Sequence, residues 1–227
     1  MPAGPFASEV VFRIGPAPIT RVVVTTWGIV AVVAGAGFAA TRRLRGDAPG
    51  KVQSALEIVL ETIANQVQGA VQAPPERYVP LLGTLFIFLV VSNLSAIAPG
   101  VSPPTAHVET PAALAVIVLL ATHYYGVRAR GLRAHLAGYV EPNPLLLPLN
   151  VLAELTRTFS LTVRLFGNVM SHELVLGIVL ALAGLLVPVP LMVLGILIGI
   201  VQAYIFTILA AVFVGAAAGA REARERS

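Results

Sequence analysis

Between Leu174 and Ala220 the chain carries no Asp, Glu, Lys, Arg or His. Water would not tolerate so much uncovered apolar surface in a fold of this size, whereas a helix spanning lipid needs ~20 such residues in a row. Backbone amides in hydrocarbon must be satisfied within the segment, so the run is helical. Gly184 and Pro188-Val189-Pro190 interrupt it, which makes it the end of one membrane helix, a turn and a second helix. Composition agrees, at 57% hydrophobic, 11% charged and a mean hydropathy of +0.86. A pI near 10.0 does not indicate nucleic acid, because the basic residues form short clusters between apolar spans. With no cysteine there are no disulfides and no thiolate metal sites. The first residues, MPAGPFASEVVF, lack a basic n-region and a compact apolar core, so no cleaved signal peptide is expected.

The pattern predicts an all-α integral membrane protein with about five membrane-crossing helices plus one amphipathic surface helix. It reads as a single membrane domain over 1–227: an external N-terminal segment at 1–21, a first span at 22–40, an amphipathic helix at 52–71, a helical hairpin at 78–126 and a long hairpin at 144–220. Within 78–126 the third span is short, Ala112 to about Tyr125, with His123 as an interfacial residue. In the amphipathic stretch Val52, Leu56, Val59, Leu60, Ile63 and Val67 recur at helical spacing, with Glu57 and Glu61 off that face. Such a helix lies at the membrane surface or packs on other protein. Five crossings put Arg42, Arg43, Arg45, Lys51, Arg77, Arg128, Arg130, Arg133, Arg221, Arg224 and Arg226 on one side, against Arg13 and Arg21 on the other. By the positive-inside rule the amino terminus is outside and the carboxyl terminus cytoplasmic.

The helix before the last turn differs from its neighbours, being interrupted by Glu154, Arg157, Arg164, His172 and Glu173. A charge at the bilayer centre costs at least ~2.5–3.5 kcal/mol on insertion scales. Guanidinium cannot escape by losing its proton. Arg157 and Arg164 lie two turns apart on one face, and Asn168 is one turn further along it. Glu154, three residues before Arg157, can pair with it, and Arg157 can also snorkel. Arg164 has no acid three or four residues away, so its countercharge must come from another helix or another chain.

That arrangement, with Arg164-Leu165-Phe166-Gly167-Asn168, resembles subunit a of the F-type ATP synthases. Pro80 to Phe88 with Ser92-Asn93-Leu94, then Pro104-Thr105-Ala106, Glu154-Leu155-Thr156-Arg157, and Gln202-Ala203-Tyr204-Ile205-Phe206 follow the family's order. The resemblance implies a membrane stator beside a rotating c-ring, its last two long helices forming a tilted hairpin against that ring. It implies the b-subunit peripheral stalk and membrane lipid as further partners, H+ or Na+ as the translocated ion, a bacterial inner membrane location, and no nucleic acid, cofactor or metal. It also implies that Arg164 is the essential stator arginine. Glu173 matches the carboxylate of the outer half-channel, Asn168 and Gln202 match polar companions on the ion path, and Asn93 matches a polar position on the neighbouring helix.

A rotor carboxylate cannot stay ionised in lipid, so it carries a proton or sodium there. Beside Arg164 it is favoured as an anion and releases its ion, and past Arg164 it is reloaded from the other half-channel. Each unit charge crossing the field supplies ~2.3 kcal/mol per 100 mV.

Three positions depart from the family's usual pattern. Gly195 stands seven residues before Gln202, where many relatives carry an acid or histidine. His107 follows Pro104-Thr105-Ala106, where Asp is common. His172 precedes Glu173, where a small residue is usual, and it can stand in for the acid missing at Gly195. Gly195 with Thr156-Arg157-Thr158-Phe159 resembles the alternative N-type branch. From another class, a secondary ion transporter also uses intramembrane Arg and Glu. Against it, the two halves show no repeat symmetry.

Overall fold

Apolar runs of this length satisfy their amides as helices, and the order of elements follows the runs. The computed structural model describes residues 10–14, 17–42, 51–70, 75–97, 102–140, 143–184 and 187–219. Its helices are α1 (Arg21–Arg42), α2 (Lys51–Ala70), α3 (Val79–Leu94), α4 (Glu109–Arg130), α5 (Leu132–Val140), α6 (Leu147–Ala183) and α7 (Pro188–Gly219). Five of them, α1, α3, α4, α6 and α7, are long and apolar enough to cross a membrane. The protein is therefore a multi-pass helical membrane protein. A short antiparallel hairpin precedes α1, with β1 (Val10–Ile14) paired to β2 (Ala17–Thr20) from Val10↔Thr20 to Ile14↔Ala17. The sequence pattern marks that stretch only as a segment before the first span.

Two other features differ from the sequence reading. The third span does not stop near Tyr125 but runs on to Arg130, ending at Gly131 with φ +81°. Arg128 and Arg130 are carried in its last turn, where long basic side chains reach the interface and favour a helix C-terminus. The additional helix α5 follows. It is too short and too mixed in polarity for its period to stand out, and its one buried residue, His135, ties it to the bundle.

Helix α7 sits at the centre, packed on α2, α3, α4 and α6. Its buried face is mostly small: Ala203, Thr207, Ala210, Ala211, Gly215 and Ala218, with Phe206 and Val214 among them. Small residues let helix backbones approach closely in a membrane, where burial in lipid gives no driving force between helices. Leu82, Leu85 and Leu89 of α3 and Leu114, Ala115 and Val118 of α4 complete the core around it. Helix α2 packs on α3 and α7. Its Ile63 is buried, and Leu60 reaches Gly83, where a Cβ would lie 2.9 Å from Leu60 Cδ2.

Of the five spans α6 is the least buried. Among its described side chains only Leu161 and Leu165 are buried, while Leu152, Leu155, Phe159 and Val163 are exposed. At ~1.5 Å per residue α6 measures ~55 Å, against ~30 Å of hydrocarbon, so a crossing by its full length requires a strong tilt.

The loop after α3 enters the bundle. Its 3₁₀ turn, Pro104–Ala106, is buried and packs on α1, α3, α4 and α6. Thr105 Oγ1 donates to Asn93 Oδ1 at 2.7 Å, and Asn93 Nδ2 donates to the Gly199 carbonyl at 2.8 Å. One asparagine thus clamps α3, the turn and α7 together. Gly199 is required there, since a Cβ would lie 2.9 Å from Asn93 Cβ. Thr105→Val keeps the shape but leaves the Asn93 oxygen without its donor, a loss of about 1–3 kcal/mol for a buried group. We expect a lower unfolding temperature for the Thr105→Val protein in detergent; an unchanged temperature would show that the clamp contributes nothing.

Candidate functional site

Helical spacing places Arg157, Ser160, Arg164, Asn168 and Ser171 on one stripe of α6, and all five are exposed. Arg157, Arg164 and Asn168 are expected on this face from their spacing in the sequence; Ser160 and Ser171 join them by the same i, i+3, i+4 count. Among the described residues Arg164 has neither a hydrogen bond nor an ion pair. Its guanidinium is exposed, with Ser160 and Asn168 one turn away along the same stripe.

The pairing expected between Glu154 and Arg157 is not made. Glu154 accepts from the hydroxyl of Tyr139 on α5, and its other oxygen lies 3.5 Å from His123 Nδ1. Arg157 instead lies over the Phe213 ring of α7 at 5.8 Å. A spacing of three residues permits an ion pair, but Tyr139 and His123, brought in from other helices, hold the carboxylate. His123, read as interfacial, belongs to this cluster.

One turn beyond Arg164, Asn168 Nδ2 donates to Gln202 Oε1 of α7 at 2.6 Å. Beside that bond lies a cavity of about 40 Å³, room for roughly two or three waters. Asn93, Asn168, His172, Glu173 and Gln202 all line it, so five residues singled out as an ion path converge on one space. The buried Nε2 of Gln202 has no partner among the described residues, which leaves a donor for water there. Asn93 lines the same cavity while both of its amide atoms are already engaged in the clamp.

Gly195 also lines the cavity, and the imidazole of His172 lies directly over it. A Cβ at 195 would meet His172 Cε1 at 2.6 Å and Cδ2 at 2.8 Å, and would collide with Nε2. The side chain missing from α7 is therefore replaced in space by one from α6. Hydrogen bonds fix neither Glu173 nor His172 among the described residues, so both can turn toward water in the cavity.

Comparison with known proteins agrees with this architecture. The family described as ATP synthase A chain matches residues 23–215. The chain is 55% identical over 219 residues to ATP synthase subunit a 2 of Bradyrhizobium sp. (strain BTAi1 / ATCC BAA-1182), covering 96% of this chain and 98% of that one. It is 43% identical to ATP synthase subunit a 2 of Pelobacter propionicus, covering 96% and 95%. It is 45% identical to ATP synthase subunit a of Nitrosospira multiformis, covering 86% and 78%. The chain belongs to the ATP synthase A chain family, a component of the ion-translocating membrane sector of the synthase rather than a catalytic subunit.

Because His172 occupies the space over Gly195, the two positions are coupled. Gly195→Val should displace the imidazole and slow ion pumping by the assembled complex, and His172→Ala should slow it as well. The double variant should fall short of the sum by about 0.5–3 kcal/mol, the range for residues in contact. Pumping rates from the two singles and the double decide it; strict additivity would mean the contact does not matter.

Proposed function

We propose that this chain is the ion-translocating stator of a rotary ATP synthase, presenting α6 and α7 to a ring of rotor carboxylates. The observation that carries this reading is Arg164: an exposed guanidinium on a membrane helix without a countercharge among the described residues, flanked by polar and small side chains. A rotor carboxylate arriving at this stripe meets a fixed positive charge, is stabilised as an anion and releases its ion. Once past, it must reload before re-entering lipid. The arginine also blocks direct leakage, since it repels cations and holds its proton.

The cavity supplies the outer access path. Glu173 lies nine residues beyond Arg164, ~13–14 Å along α6 and about half a revolution round it. It can therefore take an ion without neutralising the arginine. His172, seated over Gly195, is its neighbour in place of a second acid, with Asn168, Gln202 and Asn93 completing the wall. The translocated ion is a proton or sodium. Clustering of basic residues at one end of the spans supports an external amino terminus and a cytoplasmic carboxyl terminus in a bacterial plasma membrane. A c-ring and a peripheral stalk are the partners of this reading.

Arg164→Ala should cut ATP-driven ion pumping by roughly 10²-fold or more while the complex still assembles, since a desolvated electrostatic contact is lost. Arg164→Lys should fail too, because a desolvated ammonium loses its proton far more readily than a guanidinium. Glu173→Gln should slow pumping at least about tenfold through loss of its acid–base function. Near-normal pumping in vesicles bearing Arg164→Ala would overturn the stator reading, and a normal rate with Glu173→Gln alone would move the outer path.

A further inference from the structure

The cluster where α4, α5 and α6 meet lies apart from the outer cavity. Tyr139 of α5 is its centre, and three contacts fix it. Its hydroxyl donates to Glu154 Oε2, that hydroxyl's own oxygen lies 3.3 Å from His123 Nε2, and the Tyr139 carbonyl accepts from Asn150 Nδ2 at 2.9 Å. His123 Nδ1 lies 2.9 Å from the carbonyl of Leu119, and a carbonyl can only accept, so that nitrogen carries a proton.

The positions of the remaining protons follow by counting. With the Tyr139 proton on Glu154, the phenol oxygen can only accept from His123, so Nε2 is also protonated: imidazolium beside carboxylate. With the Tyr139 proton turned to His123 Nε2, Glu154 must supply the proton to the phenol oxygen: neutral imidazole beside carboxylic acid. Both arrangements hold the same number of protons. They interconvert when two hydrogen bonds reverse direction, with no heavy atom displaced far.

We propose that Glu154, Tyr139 and His123 form a proton wire serving the second access path, between the Arg164 stripe and solvent at the α4–α5 end of the bundle. This rests on the stator reading and takes the proton as the ion. A cavity of about 20 Å³ lies beside Glu154, enough for about one water; Thr122, Glu154, Arg157 and Thr158 are among its lining residues, with apolar side chains including Val118 and Phe213. A proton delivered there is taken up by the Glu154 carboxylate. The Glu154 O–H bond then breaks as an O–H bond forms at Tyr139, while the Tyr139 O–H bond breaks as an N–H bond forms at His123 Nε2. The imidazolium, its side chain 41% exposed, loses a proton to water, and the ring turns to restore the acceptor.

The groups facing the wire are Arg130 and His123 of α4, His135 and Tyr139 of α5, and Arg157 of α6, with Phe213 from α7. His135 is the spacer. Its ring meets those of His123 and Tyr139 edge-on at 5.4 and 5.6 Å, and both of its nitrogens are buried without partners among the described residues. It fits against Gly126, where a Cβ would come within 2.7 Å of the ring. Burial first, then Arg130 and His123, hold its pKa below the usual histidine value against the opposing pull of Glu154, so it stays neutral and does not trap the proton. The same burial and the bond to Glu154 push the Tyr139 pKa up, so the bridging hydroxyl passes protons on without ionising.

The test uses the complete synthase in inverted membrane vesicles, with proton pumping normalised to the amount of assembled complex. Tyr139→Phe keeps the ring and removes the bridge; it and Glu154→Gln should each slow pumping at least about tenfold. Glu154→Asp should recover part of the rate. Imidazole added to the outer buffer, which bathes the former cytoplasmic face, should restore pumping in His123→Ala, a rescue that a packing role would not give. Unchanged pumping per complex in Tyr139→Phe overturns the wire, whether or not assembly falls. So does failure of imidazole to rescue His123→Ala. Arg164→Ala, run alongside, separates the two readings: if it pumps normally the stator reading fails, and if it alone is inactive only the wire fails.

Discussion

An unneutralised guanidinium on a membrane helix is the constraint around which this chain is arranged. Its insertion costs at least ~2.5–3.5 kcal/mol at mid-bilayer, and no change of protonation relieves it. Among the described residues, none shares the charge of Arg164, which α6 leaves exposed while α4 and α7 pack on the same helix. Small side chains on α7 bring α3, α4 and α6 close, and the Thr105–Asn93–Gly199 clamp fixes α7 at the depth of the cavity.

Two polar clusters flank that charge. Glu173 lies nine residues past Arg164 and Glu154 ten before it, ~13–14 Å and ~15 Å along the helix, turned by about 180° and about 80° from the arginine. Each therefore meets different neighbours. Glu173 faces the space between α6 and α7, where His172 fills the place over Gly195. Glu154 faces α4 and α5, where Tyr139 and His123 hold it. On the proposed reading these are the two access paths. Their separation in depth and direction prevents an ion from passing between them without riding the rotor.

The spans were legible because hydropathy and helix length are properties of contiguous residues: Val22 to Ala40 and Leu191 to Ala220 need no information from elsewhere in the chain. The RLFGN and QAYIF segments gave the family for the same reason. What sequence left open was contact between distant segments. Glu154 and Arg157 stand at a spacing that allows an ion pair, but spacing says nothing about a tyrosine delivered by α5. Helix α5 itself was illegible, since nine mixed residues between two arginine-bearing segments show no period. His172 and Gly195 were visible as separate departures from a pattern; only their shared position in space makes them one feature. The hairpin before α1 left no alternation strong enough to read.

The central claim is that the Arg164 stripe faces a rotor, and the chain's lack of cysteine makes the direct measurement clean. Ser160 is exposed on the stripe one turn from Arg164. A single cysteine at Ser160, combined with one beside the carboxylate of the ring subunit, can be oxidised in the assembled complex. A disulfide requires Cα atoms within ~7 Å, so it reports contact and not mere proximity. The account predicts that the cross-link forms and stops ATP-driven pumping, and that reduction restores it. An assembled, active complex in which no cross-link forms between Ser160→Cys and the ring would contradict it.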